Sequence, residues 1–249
     1  MSEQVVLITG ASRGIGAATA LLAAHAGYAV AVNYASNSLA ADEVVRQIRA
    51  LGGRAIAVQA DVAVEDQVVA MFEHIDAKLG RLTALVNNAG VVDFPARVEA
   101  MTVARWQRMF NINVLGTFIC SREAVRRMST EHGGSGGAIV NVSSAASRLG
   151  SPGQYVDYAA AKGAVDAFTL GLAKEVAAVG IRVNAVRPGL IDTEIHASGG
   201  QPNRAHELAH LVPMKRPGTA EEVAQTILWL LSDAASYTTM SLLDVSGGR

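Results

Sequence analysis

Tyr158 and Lys162 stand four residues apart in a segment of helical period, so both project from one helix face, one turn apart. An ammonium beside a phenol favours the phenolate and lowers a pKa that is ordinarily about 10. A tyrosine tuned in this way is a general acid/base for work near neutral pH. Taken alone, the same spacing is also that of an ordinary surface pair. Upstream, Ser143 and Ser144 close the apolar run Ala138–Val142. A hydroxyl at the carboxyl end of a strand can polarise a carbonyl, or it can belong to a polar turn.

A second group of residues is suited to phosphate. Thr9-Gly10-Ala11-Ser12-Arg13-Gly14-Ile15-Gly16 follows the first apolar run and opens the first helical segment. Gly10 permits a tight turn, Gly14 lets backbone approach a phosphate, and Gly16 lets helix and strand pack closely. The helix start then offers free N–H groups and a partial positive charge to a pyrophosphate. Asn87-Asn88-Ala89-Gly90 ends the fourth apolar run, where small residues let a ribose pass or simply form a polar turn. Asp61 either accepts from an adenine amine or caps the helix that starts near Val64.

The elements that must position these residues alternate along the chain. Strands are predicted at Val5–Thr9, Tyr28–Asn33, Ala55–Gln59, Ala84–Asn87, Ala138–Val142, Arg182–Val186 and Ser241–Val245, each apolar on both faces. Helices are predicted at about 14–26, 38–51, 64–79, 102–130, 157–179 and 219–232. This alternation predicts an α/β fold, a doubly wound parallel sheet in one domain spanning residues 1–249. The segment 190–216, rich in Gly and Pro, breaks the alternation and is expected to be a substrate lid.

Composition narrows the function. Of 249 residues half are hydrophobic and 17% charged, which excludes a disordered chain. A net charge of −1 and 5% aromatic residues argue against nucleic acid as a partner. The start Met1-Ser2-Glu3-Gln4 lacks the basic region of a signal peptide, and no apolar run reaches about 18 residues. Cys120 is the single cysteine. The expectation is a soluble cytoplasmic protein, bound to neither membrane nor nucleic acid.

The order and spacing of the glycine loop, Asn87-Asn88-Ala89-Gly90, Ser144 with Tyr158-x3-Lys162, and Pro188-Gly189 with Thr193 resemble the short-chain dehydrogenase/reductase family over the whole chain. The resemblance implies a Rossmann sheet of about seven parallel strands. It implies Tyr158 as acid/base, Lys162 as the group that lowers its pKa and holds the nicotinamide ribose, and Ser144 as the partner of the substrate oxygen. Asn113, in Asn111-Ile112-Asn113-Val114-Leu115-Gly116, would hold a water linking Lys162 to solvent. Pro188, Gly189, Ile191 and Thr193 would hold the carboxamide. The remaining cofactor contacts would fall to Gly10, Ser12, Arg13, Gly14, Ile15, Gly16, Asn33, Tyr34, Asp61, Val62, Asn88, Ala89 and Gly90. With Ala160, Ala164, Ala167, Leu170 and Ala177 outward on helix 157–179 and an apolar strand at the C-terminus, the resemblance implies a homotetramer. The sequence departs from the family in having thirteen residues between Ser144 and Tyr158, one more than usual, in Asp157, and in Ser246 where many relatives are acidic.

These readings converge on an oxidoreductase interconverting a small-molecule secondary alcohol and a ketone. The alternatives are a 3-oxoacyl thioester reductase, a sugar dehydrogenase, and a dinucleotide-binding sensor without turnover. Tyr34 occupies the strand end where an NAD site places a carboxylate, and Arg13 lies within reach of a 2′-phosphate, so the expected cofactor is NADP(H). Ala145, Gln154, Tyr155, Leu190, Ile195 and His196 are expected around the substrate. His206-Glu207-Leu208-Ala209-His210 matches a zinc-protease pattern, but no third ligand accompanies it; a solvated amphipathic helix is expected there and no metal. Cys120 reads as a buried inert thiol.

Overall fold

Seven runs rich in Val, Ile, Leu and Ala form one parallel sheet in the computed structural model, which describes residues 4–249. The expectations resting on Met1, Ser2 and Glu3 lie outside the described residues. The strands are β1 Val5–Ile8, β2 Ala29–Tyr34, β3 Ala55–Gln59, β4 Ala84–Asn87, β5 Gly137–Val142, β6 Ile181–Pro188 and β7 Leu242–Val245. Their order is β3-β2-β1-β4-β5-β6-β7, every pair parallel. The winding reverses between β1 and β4, and this opens a crevice at the carboxyl ends of the strands there. The helices are α1 Gly14–His25, α2 Ser38–Ala50, α3 Glu65–Lys78, α4 Val103–Phe110, α5 Gly116–Met128, α6 Ala146–Leu149, α7 Val156–Val176, α8 Ile195–Ser198, α9 Arg204–Glu207 and α10 Ala220–Leu231.

Alternation along the strands sorts the core into two layers. Val6 and Ile8 of β1 pack with Ala20 of α1, Val44 and Ile48 of α2, and Ile227 of α10. Val5 and Leu7 face the other way, onto Phe72 and Ile75 of α3, Cys120 of α5, and Val176 of α7. The apolar-on-both-faces expectation holds for β1 and fails at the margins. Gln59 of β3 and Asp244 of β7 are exposed, and the rest of β7 is half-buried, because edge strands have less helix over them.

The long helix expected over 102–130 is three pieces. Thr102 caps α4 by accepting from Arg105 N. A π-helical turn, Asn111–Leu115, then precedes α5, and a 3₁₀ turn follows at Thr130–His132. The widened turn is held by Asn113, whose side-chain amide donates to Met109 O at 3.0 Å. Gly116 follows because a Cβ there would lie 2.6 Å from Val62 Cγ2. Such turns interrupt helices chiefly at functional sites.

Segment 190–216 holds α8, α9 and a 3₁₀ turn at Ala209–Leu211. The amphipathic helix expected through His206–His210 does not form. Its first turn ends at Glu207, and Leu208 separates it from the next. No helix among the described residues is long and apolar enough to cross a membrane.

Beneath the crevice a chain of buried polar side chains stitches both central strands to both helices. Asn87 of β4 donates to Ser121 Oγ of α5 and to Asn141 Oδ1 of β5, each at 2.9 Å. Asn141 donates in turn to Thr169 Oγ1 of α7 at 2.9 Å. A hydrogen bond removed from such a site leaves its partner dry and unsatisfied, at a cost of about 1–3 kcal/mol. Asn141→Leu is therefore expected to lower the unfolding free energy by that amount, read as a lower urea midpoint at constant m-value. An unchanged midpoint would show that this chain of amides does not hold the strands.

Candidate active site

The carboxyl end of β5 delivers two serines with different fates. The Ser143 hydroxyl is buried and donates to Lys162 O at 3.2 Å, so it ties β5 to α7. Ser144 turns into the crevice, where its hydroxyl accepts from Ala146 N at 3.1 Å and faces the Tyr158 phenol across the cavity wall. Tyr158 lies in the first turn of α7 and Lys162 in the second. Lys162 is 4% exposed, and its ammonium donates to Val142 O at 2.7 Å and sits 5.6 Å from the Tyr158 ring centroid.

Burial sets the acidity of both groups. It pushes the Tyr158 phenol up to about 12, against an opposing pull from Ser144. It pushes Lys162 down to about 8, with the Asp166 carboxylate opposing it. Asp166 is itself held by Arg187 at 2.9 Å. The expected lowering of the phenol by Lys162 is not found, since the ammonium lies beside the ring and bonds a carbonyl, and burial dominates. At neutral pH the site therefore carries a protonated tyrosine over a charged lysine.

Asn113 stands directly behind them. Its Nδ2 donates to Val91 O at 3.1 Å and its Oδ1 accepts from Val91 N at 3.2 Å. Gly90 keeps this corner open, because a Cβ there would fall 2.7 Å from Asn113 Oδ1 and 3.6 Å from Lys162 Nζ.

At the other end of the crevice the glycine loop is packed against β4. A Cβ on Gly16 would lie 2.5 Å from Asn88 Nδ2, which donates to Thr9 O at 2.8 Å and Gly10 O at 3.0 Å. The Thr9 hydroxyl accepts from Asn88 N and Ala89 N, both at 2.9 Å. No side chain caps the start of α1, so its N–H groups are left for a ligand. These close backbone approaches fit a dinucleotide pyrophosphate, as does the cavity of about 590 Å³ that runs from Tyr34 to Tyr158.

Of the residues expected at the site, all line this cavity except Gly16 and Asn113, which support its wall from behind. Two roles change. Asn33 reaches the cavity, but its Oδ1 accepts from Gly10 N at 3.1 Å and its Nδ2 donates to Val58 O and Ala60 O. Its amide is committed to holding the loop and is not free for a cofactor. Asp61 does not cap α3, whose N-cap is Val64; its Oδ1 accepts from Ala63 N at 2.9 Å. Arg13 is turned away from β2, donating to Ser198 Oγ of α8 at 3.1 Å.

Around the substrate end, Ala145, Tyr155, Leu190, Ile195 and His196 line the cavity as expected, and Gln154 does not. Val92, Leu149, Ser151, Arg204 and Arg249 line it without a motif having pointed to them. His206 pairs with Asp192 at 2.9 Å, and His210 Nδ1 meets Glu207 O at 2.9 Å. Among the described residues no group of three or more His, Cys, Asp or Glu could hold a metal ion. Burial pushes the Cys120 thiol up to about 12, which leaves it unreactive.

Residues 10–249 match the family model described as enoyl-(acyl carrier protein) reductase. The uncharacterized oxidoreductase YgfF of Escherichia coli (strain K12) is 60% identical over 245 residues, 98% of this chain and 99% of its own. A 3-oxoacyl-[acyl-carrier-protein] reductase of Synechocystis sp. is 43% identical over 249 residues, covering 100% of this chain and 97% of its own. The crystal structure of a dehydrogenase/reductase from Sinorhizobium meliloti 1021 matches with a TM-score of 0.91 at 30% identity, over 100% of this chain and 95% of that one. Likeness over the whole length, the strand order and the glycine loop agree, and the chain belongs to the short-chain dehydrogenase/reductase family of oxidoreductases.

Proposed function

We propose that this oxidoreductase interconverts a secondary alcohol and a ketone with NADP(H), with Tyr158 as its acid/base. The observation that carries the reading is that Ser144, Tyr158 and Lys162 line one cavity wall together, with the Lys162 ammonium buried one turn from the Tyr158 ring. A bound nicotinamide dinucleotide supplies the hydride. In reduction Tyr158, protonated at neutral pH, gives its proton to the carbonyl oxygen. Ser144 donates a hydrogen bond to the same oxygen as negative charge develops on it. Lys162 then faces the phenolate left behind and stabilises it. Asn113 and Gly90 keep a path from Lys162 open, and this supports proton supply by way of a water. Segment 190–216, whose α8 and α9 border the cavity, serves as the lid over the substrate.

The pyrophosphate belongs at Gly10, Ser12, Gly14, Ile15 and the start of α1. The adenosine belongs beside Tyr34, Asp61 and Val62, the nicotinamide end beside Ala89, Gly90, Pro188, Gly189, Ile191 and Thr193. The choice of NADP(H) rests on charge. Tyr34, Ala35, Ser36 and Asn37 line the cavity at the end of β2 without a carboxylate to repel a 2′-phosphate. Arg13 is exposed and its contact with Ser198 is a neutral one, easily exchanged for a phosphate. A buried unreactive thiol suits a reducing cytoplasm. Exposed Trp106 and Phe110 of α4, Leu115 of the π turn and Leu170 of α7 favour a homotetramer built on this flank.

Three measurements test the reading. Tyr158→Phe keeps the ring and removes the proton, so kcat on a responsive ketone should fall about 10²–10⁴-fold or more with dinucleotide affinity little changed. Near-native turnover would remove Tyr158 from the mechanism, and dinucleotide binding without turnover on any ketone, 3-oxoacyl thioester or sugar would favour a sensor. Arg13→Ala should shrink the NADP(H)-over-NAD(H) ratio of kcat/KM about ten- to a hundredfold, the worth of one charge-assisted phosphate contact. A native preference for NAD(H) overturns the cofactor choice. Sedimentation at micromolar concentration should give a tetramer, and a monomer refutes the assembly.

A further inference from the structure

We propose that the substrate carries a carboxylate and that Arg204, with Arg249 beside it, receives that group at the substrate end of the cavity. The inference rests on the alcohol/ketone reading and specifies its substrate class.

Half-buried arginines elsewhere in the fold have their charge answered. Arg105 pairs with Asp157 at 2.7 Å, Arg127 with Asp76 at 2.7 Å, and Arg187 with Asp166 at 2.9 Å. Arg182 is spent on carbonyl oxygens at the end of α10. Arg204 is the exception: among the described residues no carboxylate pairs with it. It is nevertheless held in place. Its guanidinium lies 5.2 Å from the Tyr155 ring centroid, and Nη1 donates to Gln201 Oε1 at 3.0 Å. The Tyr155 hydroxyl donates to that same oxygen at 2.8 Å. One amide oxygen thus fixes both ring and cation and leaves the rest of the guanidinium fork unpartnered at the cavity.

Arg249 lines the same cavity, and its charge acts on Arg204. Its backbone oxygen accepts from Arg148 of α6 at 3.0 Å, which fixes that side of the cavity mouth. Two like charges on one partly dehydrated wall repel, and an anion between them relieves the repulsion. The side-chain carboxylates of the cavity do not meet this need. Asp61 lies at the end of β3, and the Glu194 carboxylate lies over the glycine loop, 3.5 Å from where a Gly14 Cβ would be. His196 is held below its ordinary pKa by burial. Tyr155, which carries the arginine, stands three residues before Tyr158. Both tyrosines and Arg204 line one cavity, so a single small hydroxy or oxo acid can meet the arginine and the reacting oxygen together.

The test compares 3- and 4-oxo acids with their methyl esters, in wild type, Arg204→Gln and Arg204→Lys. Wild type should favour the acids in kcat/KM about ten- to a hundredfold, chiefly through KM. Arg204→Gln should bring the acid-to-ester ratio close to one, and Arg204→Lys should restore part of it. Turnover of the esters with no preference for the acids overturns this proposal and leaves the alcohol/ketone reading standing. If no ketone turns over in any variant, that reading falls, and calorimetry with benzoate and benzamide on the NADP-bound protein decides the anion site alone. Benzoate binding that weakens at least tenfold in Arg204→Gln, with no binding of benzamide, supports it; equal binding of the two probes, or none, overturns it.

Discussion

Lys162 is an ammonium taken almost wholly out of water, and much of the site's construction answers the cost of that. One of its protons is taken by Val142 O, at the last residue of β5. The backbone of the same lysine is pinned to the next residue of that strand by the Ser143 hydroxyl. α7 is thus fixed against the edge of the sheet by both ends of a single residue. Gly90 has no side chain that would crowd Asn113 beside the ammonium, and Asn113 borders this corner without adding charge. With Lys162 held in this way, Tyr158 is held one turn earlier on the same helix face, and Ser144 meets it from the strand.

The two ends of the cavity are made by different means. At the glycine loop, backbone packs on backbone: Thr9, Asn88 and Asn33 spend their side chains on main-chain groups of the loop and its neighbours. Such an arrangement recognises a shape common to all dinucleotides. At the substrate end the wall is made of side chains from α6, the start of α7, α8 and α9, and the polar groups among them differ in kind. Specificity belongs where side chains face the ligand, and this end has the unanswered charges.

The sequence made the sheet readable because parallel strands covered on both faces leave short, nearly continuous apolar runs, and six of the seven strand ranges agree to within a residue at each end. It also made readable those site residues that sit at strand ends or at fixed helical spacing, such as Ser144, Tyr158 and Lys162. Other features depend on contacts between distant parts of the chain. Nothing local in 102–130 distinguishes a straight helix from one widened at Asn111–Leu115, since the turn is stabilised by Asn113 reaching Val91. Asn33 reads as a polar residue at a strand end, and only its three partners show that it braces the loop. Arg204 carries no motif; its place at the cavity comes from α9 folding back over Tyr155.

The π turn has a geometric consequence for α5. An α-helix advances about 100° per residue, so a widened turn holding one extra residue shifts the angular phase of all that follows. That offset lets the chain satisfy two incompatible demands, with Asn113 directed at Val91 and with Cys120, Ala124 and Met128 directed at the sheet. A continuous helix through this stretch would have to give up one of them. The segment acts as a vernier between the Asn113 corner and the core, so insertions or deletions within 111–115 would be paid for by rotation of the whole of α5.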